Sequence, residues 1–351
     1  EALYEGQEFY ACILDEAQAI KNHTTQKYKA VCKVRSRVRF ALTGTPVENR
    51  LGELWSIFSF LMPGYLPPYK SFCSRFEKPI VQEEDQTAVR RLNQLTGPFI
   101  LRRMKSDVLK ELPPKTENVY RIELEEEQRK LYLAAVVDAR EKLQAAKPED
   151  KMAVFAVLMR LREICCDPRL IADNWEGGSA KLDACVELVS SAVEGGHRIL
   201  LFSQFTSMLE LLAKRLDAEG ISHFTLQGST PKPVRAELVR RFNGGEVSVF
   251  LISLRAGGTG LNLTAADIVI HYDPWWNVAA QNQATDRAYR IGQQNPVQVY
   301  KLIAQDTIEE KIVELQQAKQ SLADTVTGTA DGAILSMRPD ELLQLLEGSE
   351  P

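Results

Sequence analysis

The stretch from about residue 180 to 304 limits the possible folds of this chain more than any other feature. Short apolar segments, RILLFSQ (198–204), HFTLQG (223–228), VSVFLIS (247–253), ADIVIHY (266–272) and VQVYKLI (297–303), alternate with runs of helical spacing through LLAKRL, LVRRFN and DRAYRIG. Continuous apolar runs of this length read as strands covered on both faces. Strands joined through helices need right-handed crossovers, and crossovers of that kind build a parallel sheet. The expected fold class is therefore α/β, with one complete parallel-sheet lobe in this region.

A second, shorter α/β unit is expected over residues 1–66. FYACIL (9–14) and VRFALTGTP (38–46) read as strands, the first of them covered on both faces. LGELWSIFSFLMP (51–63) has helical spacing at Leu51, Leu54, Trp55, Phe58 and Leu61, and should stop at Pro63. Two strands cannot make a stable doubly wound sheet, so this lobe looks incomplete. Residues 67–165 are dominated by charge and helical periodicity, as in EEEQRKLYLAAVVDAREKLQAA, with KPEDK as a polar break. They read as a helical protrusion and linker. The complete lobe is placed at 166–304, and 305–351 as a long helix with a tail: DTIEEKIVELQQAKQSLA (306–323) has an N-cap candidate in Asp306, and MRPDELLQLLEGSEP ends in a short helix.

Composition excludes several classes. At 351 residues, with 44% hydrophobic and 26% charged, there is apolar mass for two cores. The net charge of −4 gives no global nucleic-acid signature, although a local basic groove can sit on an acidic protein. Basic residues gather at RSRVR (35–39), LRRMK (101–105) and around Arg235, Arg240 and Arg241. Six cysteines include no C-x-x-C pair, which reads as reduced thiols of an intracellular protein. No apolar run reaches membrane-span length, so no membrane partner is expected.

Four constellations carry chemistry. First, Asp15 and Glu16 close the FYACIL strand inside DEAQAIKN, as a nucleotide hydrolase presents its metal-binding acid. Asp15 would hold Mg²⁺, and Glu16 would polarise the attacking water. Second, Thr43, Gly44 and Thr45 form a hydroxyl-rich turn at a strand tip, which on residue types alone is equally an ordinary β-turn. Third, Gly257, Gly258 and Gly260 in SLRAGGTGLNLTAADIVI allow close backbone approach to a charged ligand. Fourth, on a helix Gln283, Arg287 and Arg290 fall at i, i+4 and i+7 and share a face, which suits a γ-phosphate clamp or, alternatively, a surface ladder with Asp286.

The combination resembles one family. DEAQAIKN, LTGTPVENRLGELWSIFSFLMPGYL, LRRMKSDVLKELPPKTE, LFSQFT, SLRAGGTGLNLTAADIVIHYDPWWN and DRAYRIGQ, in that order, look like the Swi/Snf-like ATP-dependent DNA translocases of helicase superfamily two. The resemblance implies two RecA-like lobes, the first incomplete here, with helical protrusions, a brace helix and ATP hydrolysed with Mg²⁺ between the lobes. It makes Asp15 and Glu16 the Walker B pair and Arg287 and Arg290 the fingers. Gln18, Thr43, Gly44, Thr45, Gly258, Gly260, Asp267 and Gln283 become nucleotide-binding and coupling residues. Expected DNA contacts are Ser203, Gln227, Gly228, Ser229, Arg255 and Trp276, and for Trp275 and Trp276 burial in the core is the open alternative. The implied partners are double-stranded DNA and protein–DNA complexes. The implied protein is a monomer, cytoplasmic, nucleoid-associated if prokaryotic and nuclear if eukaryotic. Val278, Asp167 and Tyr289 depart from the family's usual residues.

One part of the pattern is missing. No G-K-[ST] phosphate loop occurs in the sequence, and only ten residues precede the acidic strand's segment ACIL. The loop is expected upstream of Glu1, so the chain reads as part of a longer translocase and is expected to be inactive by itself. The rival readings are a nucleotide-incompetent module that binds DNA or a partner, and a strand-separating helicase.

Overall fold

A computed structural model describes residues 6–44, 51–83, 85–101, 103, 105, 109, 111–147, 150–172, 174–257, 260–316 and 339–347. The chain divides into two compact units, one formed by 1–104 with 316–333 and the other by 105–315 with 334–351.

In the first unit, β1 (Glu8–Leu14) and β2 (Arg35–Ala41) pair in parallel, with Ala11 opposite Val38 and Ile13 opposite Phe40. The expected strands are present, but their expected burial is not. Tyr10 is 77% exposed, Ile13 61% and Phe40 54%, with Val38 and Leu42 exposed beside them. Ala11, Ile13, Val38 and Phe40 share one face of the two-stranded sheet, and no described residue covers that face enough to bury them. Helix Leu51–Leu61 ends before Pro63, as its spacing predicts, and packs Leu54 and Phe58 against Phe72, Phe76 and Leu92 of the following helical segments.

The second unit holds one six-stranded, all-parallel sheet in the order β3-β8-β7-β4-β6-β5. Its strands are β3 (Lys115–Ile122), β4 (Ile199–Ser203), β5 (His223–Leu226), β6 (Val249–Ser253), β7 (Ile268–His271) and β8 (Val297–Ala304). Every residue of β4, β6 and β7 is buried. The alternation of strand side chains divides them between two layers. Leu201, Leu251 and Ile270 pack under helices Ala180–Glu194 and Thr206–Ala218, while Leu200, Phe250 and Val269 face Phe242, Ala284 and Ala288. Strand β3 lies inside the stretch read as helical and is paired along its whole length with β8. Its sequence, KTENVYRI, is mostly polar because only Ile122 is buried, so it carries no apolar run to reveal it.

A third layer in this unit is helical. Glu126–Ala145, Lys151–Cys166, the helix at 308–316 and Pro339–Glu347 meet around Tyr132, Leu158, Ile308, Ile312 and Leu342. The helix expected over 306–323 begins one residue later than its proposed cap. Asp306 has φ +56, and Thr307 is the N-cap, its Oγ accepting from the Glu309 N–H at 3.2 Å. Residues 317–323 lie outside the described ones.

Candidate functional site

At the carboxyl tips of β1 and β2 the backbone is stitched across: the Leu42 N–H donates to the Leu14 carbonyl at 2.7 Å and the Ala17 N–H to the Leu42 carbonyl at 2.9 Å. Between those two bonds stand Asp15 and Glu16, both exposed. Glu16 adopts φ 51, ψ 52, the left-handed region that a non-glycine residue enters at a cost of order 1–3 kcal/mol. Its N–H donates to Asp15 Oδ1 at 2.9 Å. Gln18 Nε2 donates to the Glu16 carboxylate, and Thr43 Oγ1 donates to Gln18 Oε1 at 2.8 Å. Thr43 of the TGTP turn is thereby wired to Glu16 through one carboxamide. Gly44 is exposed next to Thr43; Thr45 lies outside the described residues.

Asp15 and Glu16 present hard carboxylate oxygens to solvent, and among the described residues no group of three or more His, Cys, Asp or Glu gathers as a metal site. That donor set fits Mg²⁺, which typically takes one or two carboxylates and completes its octahedron with water and phosphate oxygens.

In the second unit, ligands of an open parallel sheet are expected outside the carboxyl ends, where the strand order reverses. Here the reversal falls at β4, flanked by β6 and β7. Ser203 and Asp273, just past the ends of β4 and β7, meet there. Ser203 Oγ donates to Asp273 Oδ1 at 2.6 Å, the Gln204 N–H donates to the same carboxylate, and Arg162 Nη2 reaches Asp273 Oδ2 at 3.2 Å and the Pro274 carbonyl. The Arg162 guanidinium lies 4.2 Å from the centroid of the Trp276 ring and 5.5 Å from that of Phe205. Burial pushes the Asp273 carboxyl up, against the opposing pull of Arg162 and Ser203. Both partners are buried, and removing either from such a pair costs about 3–5 kcal/mol because a lone charge is left in the core.

That network corrects two expectations. Ser203 and Trp276, read as DNA contacts, are buried, the first by its bond to Asp273 and the second under Arg162. A third correction concerns Asp267. It precedes β7 at the opposite, amino end of the sheet, where Oδ2 bonds His197 Nδ1 at 2.8 Å and Oδ1 accepts from the Arg198 N–H. The carboxylate fastens the starts of β4 and β7 together, away from the edge that would hold a nucleotide.

The arginine pair is also rearranged. Helix Val278–Thr285 stops before Arg287: the Arg287 and Ala288 N–H groups tighten to the carbonyls three residues back, Ala284 and Thr285, and the Arg287 carbonyl is taken by the Leu263 N–H at 3.0 Å. Arg287 is consequently buried and Arg290 exposed, so Gln283, Arg287 and Arg290 do not share one helical face. Arg290 Nη1 donates to the Leu261 carbonyl at 3.2 Å, which joins this segment to the loop after Gly260. The alternative of a ladder with Asp286 does not hold either: Asp286 pairs with Lys105 at 2.6 Å. Gly258 and the Arg255 side chain lie outside what the structure describes; Gly260 has φ +41 and is exposed.

The loop Gln227–Thr230, at the carboxyl end of β5, is shaped by Arg235. Its Nε donates to the Thr230 carbonyl at 2.7 Å, and Nη2 donates to those of Gly228 at 2.7 Å and Gln227 at 3.3 Å. Arg240 and Arg241 pair with Glu237 and Glu246. Arg235 is thus spent on building the loop, while Arg240 and Arg241 stand in exposed local ion pairs.

Sequence reasoning passed over Arg162, Asp273 and Gln293, and read Arg235 only as part of a basic cluster. Two arginines inside the apolar run LMRLREICC, Arg160 and Arg162, were the available signal, since a charge there needs a buried partner. Gln293 gave none: its Nε2 bonds the Ala266 and Ala288 carbonyls and its Oε1 takes the Gln294 and Asn295 N–H groups, so it works as a backbone clip.

The architecture is that of a parallel α/β protein whose acids and polar loops gather at the carboxyl ends of its strands. Residues 2–170 match the model of the SNF2-related domain, and residues 180–292 match that of the helicase conserved C-terminal domain. A "Putative ATP-dependent helicase/translocase YwqA" of Bacillus subtilis is 41% identical over 95% of this chain and 37% of its own length. An "Uncharacterized ATP-dependent helicase MG018" of Mycoplasma genitalium is 39% identical over 97% of the chain and 33% of its own. Among solved structures, the "Sulfolobus solfataricus SWI2/SNF2 ATPase core in complex with dsDNA" is 34% identical, with TM-score 0.57, covering 99% of this chain and 75% of that one. The chain belongs to the SNF2 family of helicase superfamily two. It spans about a third of the length of the curated relatives it matches.

Proposed function

We propose that the chain serves as part of the motor of an ATP-dependent translocase on double-stranded DNA, one that remodels or displaces protein–DNA complexes. The observation that carries this reading is the chain of bonds from Glu16 through Gln18 to Thr43 at the tips of two parallel strands. Asp15 would hold Mg²⁺, which would supply charge neutralisation at the phosphates. Glu16, aimed by its left-handed backbone, would take the proton of the attacking water. Gln18 would report the protonation and position of Glu16 to the TGTP turn. Arg290, exposed at the end of the loop it shares with Gly260, would offer a cation to ATP phosphates, with Arg287 and Gln283 behind it. On the DNA side, Gly228 and Ser229 lie exposed on the loop that Arg235 holds open, and their N–H groups suit phosphodiester oxygens without reading sequence.

The experiment is ATP hydrolysis without DNA, with single-stranded DNA and with duplex DNA, beside Glu16→Gln. In the longer protein that carries this chain together with a phosphate loop, duplex-stimulated hydrolysis that falls by about 10²–10⁴-fold in the variant is expected from loss of a general base. Hydrolysis indifferent to Glu16 would refute it. A second reading is favoured by the lack of any G-K-[ST] in the 351 residues: a nucleotide-incompetent module that grips DNA or a partner. Salt-sensitive duplex binding with no hydrolysis at all would select that reading, and strand displacement in the same material would select a helicase.

A further inference from the structure

We propose that the cleft between the helical segment at 69–82 and helix Gln86–Thr96 of the first unit is a docking site for an acidic peptide segment of a protein partner, which seats an apolar side chain between two arginines. The cavity measures about 680 Å³. Its floor is apolar: Phe76 and Ala88 are buried and Leu95 is half-buried. Arg75 and Arg91 line it from opposite elements, both exposed, and neither has an ion-pair or hydrogen-bond partner for its guanidinium among the described residues.

The one acid among the described lining residues does not neutralise them. Asp85 caps the second helix, Oδ1 accepting from the Thr87 N–H at 2.7 Å and the Ala88 N–H at 3.3 Å, so its charge is balanced by the helix terminus. Arg75 sits in the five-residue π-helical turn Cys73–Glu77, a rare backbone form that recurs at functional sites. An exposed aromatic pair continues the surface. Tyr65 and Phe99 stand edge-to-face at 5.3 Å, and Tyr65 Oη donates to the Leu95 carbonyl at 2.9 Å, which joins the pair to the cleft wall.

Unpaired guanidiniums beside exposed aromatic rings are the composition of a protein interface, where Arg, Tyr and Phe anchor binding. Charge complementarity selects an acidic occupant, and the apolar floor selects one that brings a hydrophobic side chain. A duplex backbone has no apolar group to bury in a cleft of this size and favours cations arrayed on an open surface. This inference does not rest on the proposed motor function.

The test is fluorescence anisotropy with three probes: a labelled peptide of Asp and Glu around one Leu and one Phe, its Asn and Gln counterpart, and a short DNA duplex. The acidic peptide is expected to bind the unaltered protein and to lose about tenfold or more in affinity in the Arg75→Glu/Arg91→Glu double variant. Phe99→Ser should weaken it less, and the neutral peptide should bind poorly. Arg75→Lys/Arg91→Lys, which keeps the charge, supplies a variant with an undisturbed charge balance should the reversal disturb folding; it should retain more affinity than the reversal. Failure of the acidic peptide to bind, equal binding to all variants, or a matching loss confined to the duplex would each overturn the proposal.

Discussion

Single residues do opposite things in the two units. Glu16 is exposed and held in the left-handed region, its carboxylate accepting from Gln18 Nε2. His271, two residues before Asp273 in the chain, is buried with its ring stacked on Phe202, and Nε2 bonds Thr285 Oγ1 at 2.8 Å. Burial, helped by the Lys301 ammonium, holds its pKa down to about 3. The unfolded chain takes up a proton near pH 6.5 and the folded chain does not, so this group's stability is complete above about pH 6.5 and is lost as pH falls from there towards 3. Urea titrations at pH 7 and pH 5 should therefore show the unaltered protein losing about 2 kcal/mol more than His271→Gln over that interval. Equal losses would place the titrating group elsewhere. The acid pair itself was plain in the sequence because both residues follow an apolar run; the Glu16 backbone conformation was not, since no side-chain pattern encodes a positive φ at a glutamate.

At the scale of elements, caps and chain reversals decide what the residues can do. The helix at 308–316 is begun by Thr307, whose Oγ1 also donates to the Ala304 carbonyl at 2.7 Å, while Glu310 reaches back to the Asp306 N–H at 2.8 Å. Thr307→Ala should cost about 1 kcal/mol in thermal or urea unfolding, and Asp306→Ala clearly less. The reverse order would make Asp306 the cap after all. Spacing alone favoured Asp306 because aspartate is the stronger capping type, and only the positive φ at that position moves the cap forward. The same lesson applies to QNQATDRAYRIGQ. Its helical periodicity is real up to Thr285, after which the bond from the Leu263 N–H to the Arg287 carbonyl, a contact between segments far apart in sequence, ends the helix and separates the two arginines.

At the scale of the whole chain, stability should be uneven. Strands β4 and β6 lie in the interior of a six-stranded sheet with both faces covered, whereas β1 and β2, among the described residues, pair only with each other and carry Ile13, Val38 and Phe40 exposed. Amide hydrogen exchange should protect β4 and β6 on the order of a hundredfold more than β1 and β2. Equal protection would mean that the exposed face is covered in solution. The sequence by itself determined the parallel α/β class, the strands from 199 onward, the position of the acid pair and the membership of the family, because these rest on local periodicity and on short motifs read in order. Only the tertiary structure decided that β3 joins the second sheet, that Ser203 and Trp276 are buried around Asp273 and Arg162, that Asp267 stands at the amino edge, and that Arg235 holds a loop in place of a phosphate. All of those outcomes but the last, the bonds of Arg235 to its own neighbouring loop, join residues distant in the chain, chosen by which polar groups had to be satisfied once the apolar faces were buried.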